Sequence, residues 1–304
     1  MEIQQLRYVC AVADTGNFSR AAERCQVAQP SLSQQVLKLE ADLGAKLFDR
    51  LGRSVRVTDA GRAFISRARA ILEQMDEARS SVVANNVDLR GSVAVGVIPT
   101  VAPYLIPAYT AAFAKKYPDA KVRIVEDMTS VLVEGLRDLS IDVAILALPL
   151  RHKDLELFPI RSEPLFAVLK KDHPRASAKS LALKDLRGEA FVMLRDGHCF
   201  RELSMGACMR ARVTPNIAFE SGQFSSLLGM VAAGVGVSLV PEMAIDRNAG
   251  CRYVRISDSR ATRTIVAASV RGRSFNRIQR AFLAEIRNHA AEEANSNSRA
   301  AKTR

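Results

Sequence analysis

Two cysteines nine positions apart carry the residue types best suited to chemistry in this chain, in the stretch Leu194-Arg195-Asp196-Gly197-His198-Cys199-Phe200-Arg201-Glu202-Leu203-Ser204-Met205-Gly206-Ala207-Cys208. The thiolate is the form that attacks peroxides and disulfides, and a nearby cation favours it over the thiol. His198 immediately precedes Cys199, and Arg195 and Arg201 are close in sequence. The residues between the two cysteines are mostly compatible with a helix. Nine residues of helix rise about 13.5 Å, whereas a disulfide needs Cα atoms within roughly 7 Å. If the segment is helical when reduced, Cys199 and Cys208 bond only by unwinding it, and a segment remodelled by oxidation can serve as a switch. Two other roles stand beside this one. Cysteine is often a small buried hydrophobe. A zinc site would draw on His198, Cys199 and Cys208, but two of these are adjacent, no Cys-x-x-Cys pair occurs, and no fourth ligand is near.

The run Asp196-Gly197-His198-Cys199, then Met205-Gly206 and Cys208, resembles the redox loop of OxyR-type hydrogen peroxide sensors in the LysR family of transcription regulators. The resemblance implies that Cys199 is the peroxidatic thiol and Cys208 the resolving thiol. It implies that Thr100, Thr129, His198 and Cys199 line a small peroxide pocket, and it puts Arg263 where a basic residue favours the Cys199 thiolate. Read on their own, Thr100 and Thr129 each follow a strand, the region where open α/β folds place ligands. Capping a helix is the competing role for each threonine, and a solvated charge is the competing role for Arg263. Cys10 and Cys25 fall at apolar helix positions and read as packing residues, and Cys251 has no assigned role. No metal or cofactor is expected.

The elements that must position these residues can be read from the whole chain. With 304 residues it suits two or three domains. Its 48% apolar content is enough for real cores. No run of about eighteen apolar residues occurs, so no membrane span is expected. Met1-Glu2-Ile3-Gln4-Gln5 lacks the basic start and apolar block of a signal peptide. A cytoplasmic location is expected, and in that reducing compartment five cysteines do not imply a structural disulfide framework. The net charge of +12 favours a polyanionic partner, most simply nucleic acid. Part of the excess lies at residues 45–70, in Lys46, Arg50, Arg53, Arg56, Arg62, Arg67 and Arg69.

Residues 1–58 read as a DNA reader. Leu6, Val9, Cys10, Val12 and Ala13 follow a helical period, and Asp14-Thr15-Gly16-Asn17 breaks it. Phe18–Cys25 makes a short second helix. Pro30 suits the first turn of a third helix, with Leu32, Val36 and Leu39 inward and Ser31, Ser33, Gln34 and Gln35 outward. This fits a helix-turn-helix whose polar face enters the major groove, although a plain helical bundle has the same periodicity. Residues 47–58 alternate basic and apolar types around Gly52 and read as a two-stranded wing. Phe18-x-x-Ala21-Ala22, Gln29-Pro30-Ser31-Leu32-Ser33, Leu43-Gly44, Leu47-Phe48-x-Arg50 and Thr58-x-Ala60-Gly61 resemble the LysR-family winged helix-turn-helix. The expected DNA contacts are Gln29, Pro30, Ser31, Ser33, Gln34, Arg50 and Arg53.

Residues 59–90 form a long helical pattern ending in a polar hinge at Asn85-Asn86-Val87-Asp88. Phe64, Ala68, Ile71, Leu72 and Met75 make one apolar stripe, and a stripe with no adjacent domain needs a partner, commonly its twin. Over 91–304, strands alternate with helices, which implies an α/β fold with a mainly parallel sheet. Strands are expected at 92–98, 122–126, 143–146, 166–169 and 190–193, and helices through 104–116 and 129–139. This region resembles the two-lobed, periplasmic-binding-protein-like effector domain of LysR regulators. Lobe I then takes 91–161 and 267–304, and lobe II takes 162–266. Residues 290–304 look disordered.

The leading reading is a non-enzymatic, peroxide-responsive transcription regulator that controls oxidative-stress defence genes. Its expected partners are promoter DNA, further copies of itself as a dimer of dimers, RNA polymerase, hydrogen peroxide as signal and a cellular dithiol reductant. The alternatives are a regulator responding to a small organic effector with passive cysteines, and a thiol peroxidase, against which the DNA reader and dimer arm stand.

Overall fold

The computed structural model describes residues 1–51, 54–83, 91–150 and 152–288, the side chains of residues 50, 51, 54, 73, 74 and 76–83 excepted. Arg53, the 85–88 segment, the tail from 290 and the side chain of Arg50 therefore lie outside the described residues. The chain divides into two compact units, Met1–Gly91 with Glu134–Ile141, and Ser92–Val133 with Asp142–Arg304.

The first unit begins with three helices, α1 (Ile3–Thr15), α2 (Phe18–Arg24) and α3 (Gln29–Leu43). Gly16 closes α1 in the left-handed region, and the Asn17 side chain accepts the free N–H groups of Ser19 and Arg20 at the start of α2. Cys25 caps α2 rather than extending it. Pro30 stands in the first turn of α3. Strands β1 (Phe48–Leu51) and β2 (Ser54–Val57) pair antiparallel as the expected wing. Buried Glu40 anchors the wing's start by accepting the N–H groups of Leu47 at 2.7 Å and Phe48 at 3.1 Å. Leu6, Val9, Val12, Ala21, Leu32, Val36 and Leu39 fill the core as the periodicity predicts.

Helix α4 (Asp59–Val83) follows. A Cβ at Gly61 would stand 2.1 Å from the Leu47 carbonyl oxygen, so only glycine lets α4 start against the wing. The apolar stripe of α4 is not left wholly for a twin. Ala68 is 1% exposed within this same core, together with Ile65, and Phe64 and Leu72 pack against it. Asp14 ties the ends together, accepting Arg24 at 3.0 Å and Arg69 at 2.5 Å. The expectation of an isolated arm is corrected for the first turns, where α1 covers the stripe. Ile71 is 43% exposed and Met75 is partly exposed.

The second unit contains β3 (Gly91–Val97, its first residue at the boundary), α5 (Ala102–Lys116), β4 (Ala120–Glu126), α6 (Thr129–Arg137), β5 (Val143–Ala147), β6 (Leu155–Lys170), β7 (Ser180–Leu181), β8 (Ala190–Leu194), α7 (Cys199–Arg210), β9 (Asn216–Ser221), α8 (Phe224–Ala232), β10 (Ser238–Pro241), β11 (Cys251–Ile256) and β12 (Thr262–Val270). Residues 277–288 are helical. Helix α5 begins before the expected position and carries Pro107 in its interior, and α6 stops at Arg137, before Leu139, which takes a left-handed φ of 62°.

The main sheet runs β4-β3-β5-β12-β6-β11-β7, with β10 also on β6. It is mixed, not mainly parallel. β3 pairs parallel with β5, but β12 is antiparallel to both β5 and β6, and β6 is antiparallel to β10 and β11. The long strands β6 and β12 cause the difference. The first part of β6, through Pro164, pairs with β12, and the rest turns to β10 and β11. A register shift falls between Ile265 and Val266, opposite Arg161 and Pro159. Strand β8 does not extend the main sheet. It pairs parallel with β9 and reaches Val237 by a single bridge at Phe191.

Candidate functional site

Helix α7 begins at Cys199 and runs unbroken past Cys208 to Arg210, and both cysteines are free thiols. His198 is its N-cap residue. Gly197, at φ +93°, makes the turn that feeds the helix, and a Cβ there would meet the Met128 sulfur at 4.0 Å. That turn therefore lies against the residue just before Thr129. Phe200, Ser204, Ala207 and Cys208 form the buried face of α7.

Cys199 is partly exposed and Cys208 fully buried. Burial pushes the Cys208 thiol up to about 11, so in the folded helix it is an inert core residue. Burial also pushes Cys199 up, but several groups oppose it: the Arg263 charge first, then the Thr129 hydroxyl and the Phe200 N–H at the helix start. Glu202, on the same helix, adds to the rise. The net effect is a resting thiol with a built-in route to the thiolate.

Arg263 is 1% exposed. Its guanidinium donates to the Thr100 hydroxyl at 2.8 Å and the Thr100 carbonyl at 3.3 Å, and sits 5.6 Å over the Phe200 ring. Its competing role as a solvated charge is excluded. The cation acting on Cys199 thus comes from β12, and the neighbours in sequence point elsewhere. Arg201 is held by Asp196 and Glu220, each at 2.7 Å, and by the Leu194 carbonyl. His198 is buried, and burial first, then the Arg195 charge, hold its imidazole below the usual range. Its Nε2 has no hydrogen-bond partner among the described residues.

Thr129 starts α6. Its hydroxyl is near enough to the Cys199 sulfur to favour the thiolate, yet it completes no hydrogen bond among the described residues. Cys199 at the helix start thus has the Arg263 charge and the Thr129 hydroxyl near it, and Arg263 in turn holds Thr100. Such a set can hold a small, polar, hydrogen-bonding oxidant and assist departure of hydroxide. Among the described residues no group of three or more His, Cys, Asp and Glu side chains is placed to hold a metal ion.

Sequence reasoning missed two participants. Glu163, on β6, lies directly across the ladder from Arg263, and Phe200 forms the apolar floor under the guanidinium. Only strand register brings Glu163 to Arg263, and nothing in its local sequence marks it.

In the first unit, Gln29, Pro30, Ser31 and Gln34 are exposed at the start of α3, and Ser33 is partly so. Gln35 is engaged by the Gln5 amide at 3.1 Å. No helix among the described residues is long and apolar enough to cross a membrane.

Comparison with known proteins places these features among relatives. Residues 3–62 match the bacterial regulatory helix-turn-helix protein model, lysR family, and residues 87–291 match the LysR substrate binding domain. The chain is 35% identical to a hydrogen peroxide-inducible genes activator of Pectobacterium carotovorum subsp. carotovorum, across 81% of this chain and 82% of that one. It resembles a full-length cysteine-to-aspartate variant of Pseudomonas aeruginosa OxyR, with a TM-score of 0.78, 31% identity and coverage of 94% and 98% of the two chains. A Corynebacterium glutamicum OxyR variant with hydrogen peroxide bound gives a TM-score of 0.64 at 30% identity, covering 99% and 97%.

Proposed function

The chain belongs to the LysR family of transcription regulators, and we propose that it is a member that senses hydrogen peroxide through a reversible Cys199–Cys208 disulfide. The observation that carries this reading is a thiol at the start of a helix, with a buried arginine and the Thr129 hydroxyl acting on it, and a second thiol buried further along the same helix. The curated relative is described as a peroxide-inducible genes activator, which supports the same signal.

In this reading the Cys199 thiolate attacks one peroxide oxygen. An S–O bond forms as the O–O bond breaks, and hydroxide leaves to be protonated to water. Thr100, Thr129 and His198 orient the peroxide, and Arg263 stabilises the charge. The Cys208 thiolate then attacks the sulfenic sulfur, an S–S bond forms, and a second hydroxide leaves as water. Two thiols are oxidised by two electrons and one peroxide is reduced to two waters. A cellular dithiol reverses the change.

Residues 1–58 are the reader, with Gln29, Pro30, Ser31, Ser33, Gln34, Arg50 and Arg53 on promoter DNA. Residues 59–90 are the dimer arm and 91–304 the sensing module, in a dimer of dimers that alters RNA polymerase recruitment at oxidative-stress genes. The test is DNA footprinting before and after a peroxide pulse. Cys199→Ser should abolish the change in footprint, and Cys10→Ser should keep it. A normal response in the Cys199 variant rejects the assignment and favours a regulator that binds an organic effector.

A further inference from the structure

Arg263 does not act on Cys199 alone. Glu163 is 1% exposed and stands opposite it in the β6–β12 ladder, with 3.8 Å between Arg263 Nη1 and Glu163 Oε1. The other carboxylate oxygen, Oε2, accepts the Met243 N–H at 2.9 Å, which fixes the side chain. Buried ionised pairs are costly to assemble, so a carboxylate in this place needs a physical account. We propose that Glu163 is a positioning residue that sets the reactivity of Cys199, acting through Arg263 as its competing buried counter-charge. This rests on the peroxide-sensor reading of the same site.

The charge balance gives the direction of the effect. Arg263 is held by Thr100 and Phe200 whether or not Glu163 is charged. The anions that can balance it from the packed elements are Glu163 on β6, the Cys199 thiolate on α7 and, weakly, Tyr104 on α5. Around Cys199 itself stand Arg263, Thr129 and, on its own helix, Glu202. Burial pushes the Glu163 carboxyl up; Arg263, the Met243 N–H and Arg161 oppose that rise and favour the carboxylate, and Glu242 adds to the rise. While Glu163 is ionised the guanidinium has a partner and the thiol can stay protonated. Neutralising Glu163 leaves the Cys199 thiolate as the buried partner that Arg263 lacks. Glu163 is then a brake that keeps the resting sensor quiet.

The experiment is the pH dependence of iodoacetamide alkylation at Cys199 in the reduced full chain, followed site by site by mass spectrometry. Glu163→Gln keeps the shape and the hydrogen bond to Met243. Its alkylation midpoint should fall by about one pH unit, with labelling at pH 7 several-fold faster, while Glu163→Asp, which keeps the charge, stays near wild type. A midpoint that is unchanged or raised in folded Glu163→Gln overturns the proposal. If that variant does not fold, Arg263→Met with Glu163→Gln is compared with Arg263→Met alone. Glu163 acts through Arg263, so adding Glu163→Gln must then leave the midpoint unlowered, and a fall of about one pH unit on adding it overturns the proposal. Peroxide oxidation of Cys199 is followed in parallel. Wild-type Cys199 that labels as expected but ignores peroxide sinks the sensor reading and leaves the role of Glu163 intact.

Discussion

Cys199 and Cys208 belong to one continuous helix, the first at its opening residue and partly exposed, the second fully buried in the core beneath. Nine helical steps separate them by about 13.5 Å along the axis, so a bond between them and an intact α7 are mutually exclusive.

Arg263 should control the rate of the first chemical step. Replacing it with Met removes the main charge that opposes burial at Cys199. The thiol's pKa then rises further, the thiolate fraction at pH 7 falls, and peroxide oxidation should slow by at least about ten-fold, one pKa unit. Stopped-flow oxidation at several pH values checks this. The rate should climb with pH in both proteins, with the variant's rise displaced to higher pH.

Ser204 is a weak point built into the same helix. It is 4% exposed and its hydroxyl has no hydrogen-bond partner among the described residues. It faces a small cavity with Leu194, Phe200, Leu227 and Ser238. Ser204→Ala should stabilise the reduced protein by about 1 kcal/mol, because a buried unpaired hydroxyl is removed. The same change should slow disulfide closure and leave sulfenic acid formation alone. Urea unfolding of the reduced form and quenched-flow thiol mapping measure the two effects.

Cys208 gives a pH signature. Its folded thiol titrates near 11 against an ordinary 9.0. The folded state therefore holds its proton more tightly than the unfolded state. The stability this confers is complete below pH 9 and is lost as pH rises through about 11, a change on the order of 2–3 kcal/mol. Comparing reduced wild type with Cys208→Ala in denaturant across pH 8–11 isolates it. Parallel curves would show that Cys208 is not desolvated.

On α4, Ile71 and Ala68 should behave oppositely. Ala68→Asp puts a charge into the reader's own core and should unfold that unit, at a cost of several kcal/mol. Ile71→Asp touches an exposed position and should leave the melt nearly unchanged while weakening self-association in sedimentation.

These contrasts show what the sequence made legible. The short-range features were readable: the helical period of 1–43 with its break at Asp14–Asn17, Pro30 in the first turn of α3, the strand pair of the wing and the helical spacing of the two cysteines. The periodicity of α4 revealed an apolar stripe but not that α1 covers its first turns, because period does not identify the covering surface. The mixed sheet was hidden because Pro159 and Pro164 lie within β6, and proline ordinarily argues against a continuous strand. Glu163 was invisible for a similar reason. It reaches Arg263 only through cross-strand register, which no local pattern encodes.

The most direct measurement combines disulfide mapping with amide hydrogen exchange over residues 199–210, before and after a brief peroxide pulse. The switch requires one new bond, Cys199–Cys208, and loss of exchange protection through the helix at the same rate. Oxidation that leaves both thiols unlinked, or a linked pair with the helix still protected, would contradict it.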